Sequence, residues 1–332
     1  MAVLTYKGEI IGGSPSKAES IFYDNTDSGL ESERVQGAVD EVAYKINILS
    51  AGYNANNILT FDKDITDEWY NGNLRNEIRA HNFENVHPGA YIIGKTTGTK
   101  YYVLECDPWL YKGDTSLTTG HIGVVPRILT GVSTKLWAGK TYAGSSANQT
   151  TQGYAPWAAD WDTSNPAATY TSTTVSGKNN TSGSYYNSFI KQVVLNRVYN
   201  EWLKADFGTD AVLKFRNLLA NATNTSVVSP GYTAWSGVSS SWSWYDSYCD
   251  LMSEANVYGT NVWSSSGFDT GCQKEQFALF RLLSKDIVFN RETIWLKDVA
   301  DASNACDARY IGDAYFNYAS RCLAVVSFAL LA

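Results

Sequence analysis

The chain has 332 residues, of which 44% are hydrophobic and 14% aromatic, and its formal net charge is −7. This length is enough for one large or two modest hydrophobic cores. An acidic chain without a Lys/Arg cluster is a poor candidate for nucleic-acid binding, which requires neutralisation of phosphate charge. The sequence has no polybasic stretch for anionic lipids and no apolar run long enough to span a bilayer. We therefore expect neither nucleic acid nor membrane insertion.

The abundance of aromatic and small polar residues is the most unusual property of the composition. There are 11 Trp and 22 Tyr but only two Met. Tyr, Trp, Ser, Gly and Asn together are typical of adaptable binding surfaces. A β-rich protein that packs aromatics in its core would have a similar composition, so both interpretations remain open.

The five cysteines are scattered, at Cys106, Cys249, Cys272, Cys306 and Cys322. An odd number without a C-x-x-C pair argues against a disulfide framework and against a zinc site. This predicts synthesis in a reducing cytoplasm. The N-terminal MAVLTYKGEI lacks the basic and apolar regions of a signal peptide. A binding-type composition without an export signal fits a virion component that is released by lysis.

Residues 1–27 are expected to form short strands and loops, because Gly12, Gly13 and Pro15 interrupt regular structure. Ser32 then resembles a helix N-cap, with Glu33 in the first turn. The helix that follows has an apolar seam with heptad spacing, formed by Val35, Val39, Val42, Ile46 and Leu49.

Val39 and Ile46 occupy the a positions of this seam, and the other members occupy the d positions. Two heptads are too short to form a stable helix alone. The seam therefore predicts an oligomerisation stalk, a trimer, that joins chains also held together elsewhere. The alternative is one amphipathic helix that packs on its own domain.

The middle of the chain alternates between a helix and strands. A helix is expected near 68–82, and strands are expected at 91–93, 101–104 and 121–126. Residues 138–184 are rich in Gly, Ser, Thr and Asn and contain tryptophans. They predict a long irregular insertion, a kind of segment that is often functional.

Further helices are expected from Asn187 onwards, at 210–222 and at 245–258. The first has one apolar face, which contains Ile190, Val193, Val194, Val198 and Trp202. Residues 323–332 are apolar and predict a buried terminal strand. No internal repeat is recognisable.

Motifs of catalysis are absent from the sequence. It contains no Gly-rich phosphate loop, no H-E-x-x-H and no G-x-S-x-G. His81, His87 and His121 lack metal-ligand spacing, and His87 is expected to act as a polar tether in a turn. Carboxylates in 138–184, such as Asp160 with Asp162, suit a solvated loop better than glycoside hydrolysis. We predict no catalytic residue, metal ligand or cofactor. A tail-borne polysaccharide depolymerase is the enzymatic alternative.

Two stretches resemble known protein families. The first, YDNTDSGL at 23–30 followed by VQGAVDEV at 35–42, is similar to a segment found in phage tail fibres and other virion proteins. In those proteins it links an attachment region to a receptor-binding region. The resemblance implies that the N-terminal segment binds other virion proteins.

The second stretch resembles structural proteins of gut phages. Its motifs are WYDS at 244–247, SSSGFDTG at 264–271, FALFRL at 277–282 and WLKDVA at 295–300. Similar pieces lie upstream, at 87–91 and 121–126, and the expected helix pair before residue 225 completes the pattern.

This second resemblance implies a C-type-lectin-like C-terminal domain. In similar proteins diversified by retroelements, the segment after the WLKDVA-like motif is a variable, exposed face that binds host ligands. Here that segment is 303–322. The family's closing GVRP is replaced by Ala324-Val325-Val326-Ser327, so no role of that Arg and Pro carries over to this chain.

Large polar and aromatic residues in this segment alternate irregularly with alanines, without a helix or strand period. The expected ligand-binding residues are Asn304, Asp307, Arg309, Tyr310, Asp313, Tyr315, Phe316, Asn317, Tyr318 and Arg321. Tyr, Arg and Asn combine contact area with hydrogen bonds. Trp295 is expected to anchor the core beneath this face. An ordinary loop and strand covering the core is the alternative.

The expected fold class is α+β, a short N-terminal helical or coiled-coil attachment segment followed by a C-type-lectin-like domain with insertions. The domains are 1–50 for attachment and oligomerisation, 51–184 for the N-terminal part of the globular region, and 185–332 for ligand binding. The expected protein is a homo-oligomeric phage adhesin on the virion surface, tail or capsid, made in the bacterial cytoplasm. It would recognise a bacterial surface protein or glycan without calcium, because no calcium-ligand spacing occurs. A capsid decoration or baseplate component is the structural alternative.

Overall fold

The fold is mixed α+β, as the sequence predicts, and it is described here from a computed structural model. The described residues are 5–6, 9–10, 18, 21–26, 28, 30–112, 117–126, 141–142, 169–170, 191, 194–219, 243–263, 275–283, 293–300, 304–318 and 325–332. The chain divides into two compact units, Met1–Asn54 and Ala55–Ala332.

The first unit contains a small hairpin and one long helix. Strand β1 (Thr5–Tyr6) pairs with β2 (Glu9–Ile10), and α1 spans Val35–Ala55. The prediction that Ser32 caps this helix and that Glu33 lies in its first turn is wrong. The backbone before α1 is paired instead, because Tyr23 N donates to Glu33 O and Val35 N donates to Ile21 O. Ser32 and Glu33 therefore precede the helix.

The predicted apolar seam of α1 faces solvent over most of its length. Val39, Val42, Ile46 and Leu49 are 57%, 41%, 55% and 51% exposed, whereas Val35 is half-buried. The apolar side chains at a and d positions therefore remain accessible in the single chain. No helix among the described residues is both long and apolar enough to cross a membrane.

An antiparallel six-stranded sheet forms the centre of the second unit. Its strand order is β11-β15-β5-β4-β3, and β8 also pairs with β15. The strands are β3 (Tyr91–Ile93), β4 (Lys100–Cys106), β5 (Ile122–Pro126), β8 (Val212–Leu213), β11 (Cys249–Leu251) and β15 (Ser327–Leu331). Strands β3, β4, β5 and the buried terminal strand β15 confirm the sequence predictions.

Three smaller sheets accompany the central one. The three-stranded sheet has the order β12-β13-β14, and β10 pairs with β9. These strands are β9 (Phe215–Leu219), β10 (Ser243–Ser247), β12 (Ile294–Val299), β13 (Asn304–Ala308) and β14 (Ala314–Tyr318). Within the predicted insertion, the described parts are β6 (Thr141–Tyr142) and β7 (Thr169–Tyr170), which pair in parallel.

The helices of the second unit are short. They are α2 (Thr66–Tyr70), α3 (Leu74–Arg79), α4 (Leu195–Arg197), the π-helix Val198–Leu203, α5 (Lys204–Phe207), α6 (Glu254–Tyr258) and α7 (Ala278–Leu282). The predicted single helix at 68–82 is thus two helices. The break falls at Asn71-Gly72-Asn73, which are poor helix formers. A Cβ at Gly72 would lie 2.7 Å from the carbonyl oxygen of Glu68.

Two helix predictions are wrong. Residues 212–219 form β8 and β9 instead of a helix, and 243–251 form β10 and β11, so that only Glu254–Tyr258 of the predicted 245–258 helix is helical. Both segments are short and rich in aromatic or apolar residues, a pattern that does not distinguish a buried strand from a helix. The pairing of β8 and β11 with β15, and of β9 with β10, decides for strands. Of the helix predicted from Asn187, Ile190 and Val193 lie outside the described residues, and Val194 and Val198 are buried.

An aromatic cluster holds the sheets and helices of the second unit together. Trp109 is 1% exposed, and its ring centroid lies 5.0 Å from that of Phe215 and 5.1 Å from that of Phe328. Its indole Nε1 donates to Arg216 O at 3.1 Å. The core also includes Cys306 and Ala308 of β13. The three-stranded sheet is therefore attached to the same core as the central sheet.

Candidate functional site

The candidate site is built on the β13–β14 hairpin, which carries most of the predicted ligand-binding residues. The pairing is regular from Asn304 opposite Tyr318 to Ala308 opposite Ala314. The connecting turn closes through Arg309 N, which donates to Asp313 O at 2.9 Å. Gly312 has φ 86°, a conformation that favours glycine. The expectation of a segment without strand periodicity is therefore wrong.

Aromatic and cationic side chains meet on the outer part of this hairpin. The Trp263 ring lies edge-on to Phe316 with 4.9 Å between centroids, and to Tyr315 with 6.3 Å. Arg309 Cζ lies 4.9 Å from the Tyr315 ring centroid and 5.9 Å from that of Tyr310. We call Trp263, Arg309, Tyr310, Tyr315 and Phe316 the aromatic patch.

The aromatic patch is solvent-accessible although it is rich in ring carbon. Trp263, Tyr310 and Tyr315 are 45%, 48% and 39% exposed. The neighbouring Val262 and Ile311 are 49% and 60% exposed. A contiguous patch of exposed apolar side chains often marks an interaction surface.

Trp263 was not predicted from the sequence, although its position is fixed by two specific interactions. Its indole Nε1 donates to Ala314 O of β14 at 3.0 Å. The backbone N–H groups of Val262 and Trp263 donate to the carboxylate of Glu254, each at 3.0 Å at the closest. The sequence feature that could have indicated Trp263 is a tryptophan close behind the polar run Gly259-Thr260-Asn261.

Glu254 is fully buried below this loop and is itself held by β12. Its backbone N–H donates to Asp298 Oδ2. Burial, followed by the nearby carboxylates of Asp298 and Glu254, raises the pKa of the Cys306 thiol well above its ordinary value. The acidic residues under the patch therefore act as structural anchors of its loop and do not activate Cys306 as a nucleophile.

Two of the predicted contact residues are buried, so the expectation that all of them project outward is wrong. Asp307 is fully buried and Asn317 is 9% exposed. Asn317 Nδ2 donates to Asp307 Oδ2 at 2.6 Å. Because side chains alternate along a strand and Tyr315 pairs with Asp307, these two residues share their face of the sheet with the 39% exposed Tyr315. Trp295, opposite Asp307 in the neighbouring strand β12, is fully buried, as predicted.

The remaining predicted residues differ in position and contacts. Asp313 is exposed at the turn and forms an ion pair with Arg309, with 3.3 Å between Nη1 and Oδ2. The backbones of Asn304 and Tyr318 pair at the far end of the hairpin. Arg321 lies outside the described residues.

A second polar cluster, Asp107 with His81 and His121, contains residue types found in catalytic sites, but it is buried and its hydrogen bonds stabilise the fold. Asp107 Oδ2 lies 2.7 Å from His81 Nδ1, and Asp107 Oδ1 accepts from His121 N at 2.8 Å. His121 Nε2 accepts from Trp109 N at 3.0 Å. Burial lowers the pKa of His121. These bonds fix the loop that connects β4 to β5, and both histidines are buried.

In the part of the chain that the structure describes, metal-ligating residues and cysteines give no alternative site. Among the described residues no group of three or more His, Cys, Asp or Glu side chains is arranged to hold a metal ion. The described cysteines Cys106, Cys249 and Cys306 are buried and free. His87 Nδ1 is buried and has no hydrogen-bond partner among the described residues, so this atom does not act as the predicted polar tether.

The aromatic patch can therefore bind through ring faces, an indole and a guanidinium, and it presents no acid–base pair. Comparison of the chain with protein-family models, curated proteins and solved structures gives no match.

Proposed function

We propose that the protein is a phage receptor-binding virion protein that recognises a bacterial surface protein or glycan through the aromatic patch. The exposure of Trp263, Tyr310 and Tyr315 around Arg309 is the observation that carries the proposal. Trp, Tyr and Arg are the residue types that contribute most to binding energy at interfaces. An aromatic–guanidinium surface fits sugar rings and peptide side chains alike.

The proposal includes a specific fold for the C-terminal domain. A C-type-lectin-like domain is implied by the resemblance of 244–300 to gut-phage proteins. The central position of the terminal strand β15 and the separate β12-β13-β14 sheet support it. In this interpretation 303–322 is the segment that retroelement diversification would vary, and its turn carries the exposed Tyr310 and Ile311.

Oligomerisation through α1 completes the proposal. The exposed heptad positions Val39, Val42, Ile46 and Leu49 suit a parallel trimeric stalk, which would bury them. The segment before α1 would bind other virion proteins and place the adhesin on the tail or capsid. Several copies per virion raise the overall affinity without new contacts, so each site needs only modest affinity.

The test compares adsorption of purified protein to host cells for three proteins. One is wild type. The second carries alanine at Trp263, Arg309, Tyr310 and Tyr315. The third, a matched control, carries alanine at Ile58, Leu59 and Phe61, which are 48%, 37% and 44% exposed elsewhere on the same unit.

We expect the wild type and the control to bind, and the patch variant to lose at least about 10-fold in affinity, because truncated hot-spot residues each cost about 2 kcal/mol or more. Equal binding by the folded patch variant would refute the site. Absence of binding by wild type to any host, with antibody labelling on the capsid or baseplate, would favour the structural alternative. Cleavage of host polysaccharide would favour the depolymerase.

A further inference from the structure

A pocket separate from the aromatic patch lies between the α4 to π-helix segment and the β9–β10 hairpin. Its volume is about 230 Å³, and its lining includes Lys191, Tyr199, Lys214, Asp246, Ser247 and Tyr248. Pockets for drug-sized ligands measure about 300–1,000 Å³. This pocket therefore fits a ligand with a single small ring.

Lys191 provides a fixed positive charge in the wall of the pocket. Its side chain is 8% exposed, and its Nζ donates to Ser247 Oγ and to Cys249 O. Nζ also lies 3.6 Å from Asp250 Oδ1, which is fully buried. A buried ammonium with this many partners cannot reorient freely. It therefore acts on a ligand as a fixed positive charge and does not move to form a new hydrogen bond.

The carboxylate at the pocket is already engaged by cations. Asp246 Oδ1 accepts from Arg216 Nε at 2.8 Å, and Asp246 Oδ2 lies 3.1 Å from Lys214 Nζ. Ser247 Oγ is also committed, because it donates to Cys249 O. Asp246 and Ser247 are therefore both engaged by other groups of the protein.

Lys214 retains hydrogen-bonding capacity towards a ligand. Its side chain is 54% exposed, and its ammonium has three N–H donors but one described ion pair, to Asp246. A ligand in the pocket thus meets N–H donors from Lys214 while the acceptors beside it are already bonded. This arrangement selects a ligand group that accepts hydrogen bonds and carries negative charge.

A stacked pair of tyrosines forms the apolar part of the same wall. The ring centroids of Tyr199 and Tyr248 are 3.9 Å apart and their planes differ by 2°. Lys191 and Lys214 line the pocket together with one carboxylate, that of Asp246, although the chain as a whole is acidic.

We propose that this pocket binds an acidic monosaccharide, with the sugar carboxylate on Lys214 and the sugar ring against the tyrosine pair. The volume limits the ligand to one ring, the available donors require an anionic acceptor, and the aromatic pair provides the flat apolar surface. This site is independent of the aromatic patch, and the inference does not rest on the adhesin function.

The experiment is calorimetric titration of the full chain with glucuronate, glucose and inorganic phosphate in turn. The variants are Lys214→Gln and, as a matched control, Lys112→Gln. Lys112 also forms a surface ion pair, with 3.1 Å between its Nζ and Glu275 Oε1, but lies outside the pocket. Both lysines are partly exposed, so both variants are expected to fold.

Glucuronate should bind wild type and Lys112→Gln equally, and Lys214→Gln should weaken binding about 10-fold, as expected for loss of one charge-assisted hydrogen bond. Glucose and phosphate should each bind at least about 10-fold more weakly than glucuronate. Three results would overturn the inference. The first is no heat with glucuronate up to about 10 mM, a concentration well above the ~1 mM Kd of a weak site. The second is binding of phosphate or glucose as tight as that of glucuronate, and the third is unchanged glucuronate affinity in Lys214→Gln. Host adsorption by the pocket variant is measured in parallel, so failure here is distinct from failure at the aromatic patch.

Discussion

Asn317 Nδ2 donates to Asp307 Oδ2 at 2.6 Å inside a hairpin whose turn and aromatic side chains face solvent. The pair is buried, on the face of the sheet that also holds Trp295. The hairpin thus combines a buried polar bond, which fixes its position, with the exposed Tyr315 on the same face, which is available to a ligand.

Asn317→Ala should therefore destabilise the fold while Tyr315→Ala should not. The buried carboxylate of Asp307 loses a charge-assisted hydrogen bond, which costs about 1.5–3 kcal/mol. Tyr315 is 39% exposed, so its truncation should change the free energy of unfolding by less than about 1 kcal/mol. Chemical denaturation of both variants measures the difference. A larger loss for Tyr315→Ala would show that the division of roles is incorrect.

The Glu254 carboxylate should control the order of the Trp263 loop. In Glu254→Gln one carboxylate oxygen becomes an amide N–H₂ group, which cannot accept from the N–H of Val262 or Trp263. Loss of about 1.4 kcal/mol would raise local opening about 10-fold. Hydrogen exchange of these two amides, followed by mass spectrometry, measures it. The exposed Glu275→Gln serves as control, and unchanged exchange in Glu254→Gln would exclude the anchoring role.

The strands that were predictable from the sequence are those whose own residues carry the signal. Strands β3, β4, β5 and β15 are apolar runs of suitable length for strands, and their predicted positions match. Strands β8 and β9 were mistaken for a helix, because Val212 to Leu219 acquire their partners only from β15 and β10, far along the chain. Local pattern cannot encode such non-local pairing.

The candidate site was predictable in part for a similar reason. Tyr310 and Tyr315 have residue types that favour an exposed binding face, and the structure places both at the surface. Asp307 and Asn317 are buried although the exposed Tyr315 pairs with Asp307 on the same face, so residue type and strand alternation alone do not predict which of these side chains a ligand can reach. Trp263 joins the patch through a loop that Glu254 and Ala314 O hold in place, two contacts that lie far apart in the sequence.

Glu105 should make stability fall as pH rises through neutrality. It lies at the irregular position of the β4–β5 pairing, is 8% exposed, and its Oε2 has no hydrogen-bond partner among the described residues. Burial, followed by the nearby Glu275, raises the pKa of Glu105 to about 8. Between the ordinary value of 4.5 and about 8, the unfolded chain releases this proton while the folded chain retains it. The free energy of unfolding then falls by up to about 1.4 kcal/mol per pH unit.

Glu105→Gln resembles the protonated acid and should remove this slope. We expect the variant to be as stable as wild type near about pH 5 and more stable near about pH 9, by chemical denaturation at both values. Glu84→Gln, at an exposed position, is the control and should keep the wild-type slope. Parallel pH profiles for wild type and Glu105→Gln would mean that Glu105 is ionised at neutral pH in the folded protein.

The heptad seam of α1 should hold the oligomer together. Ile46 occupies an a position and is 55% exposed in the single chain, so burial against other copies would remove its apolar surface from water. Ile46→Asp would place a charge in that seam and should shift the oligomer towards monomers in analytical ultracentrifugation. Tyr44 lies two residues away at an outward f position of the same heptad and is 63% exposed. Tyr44→Asp, which adds the same charge to the opposite face, should leave the oligomer intact. Equal sedimentation of the two variants would show that α1 does not mediate assembly, and the avidity argument would then need another interface.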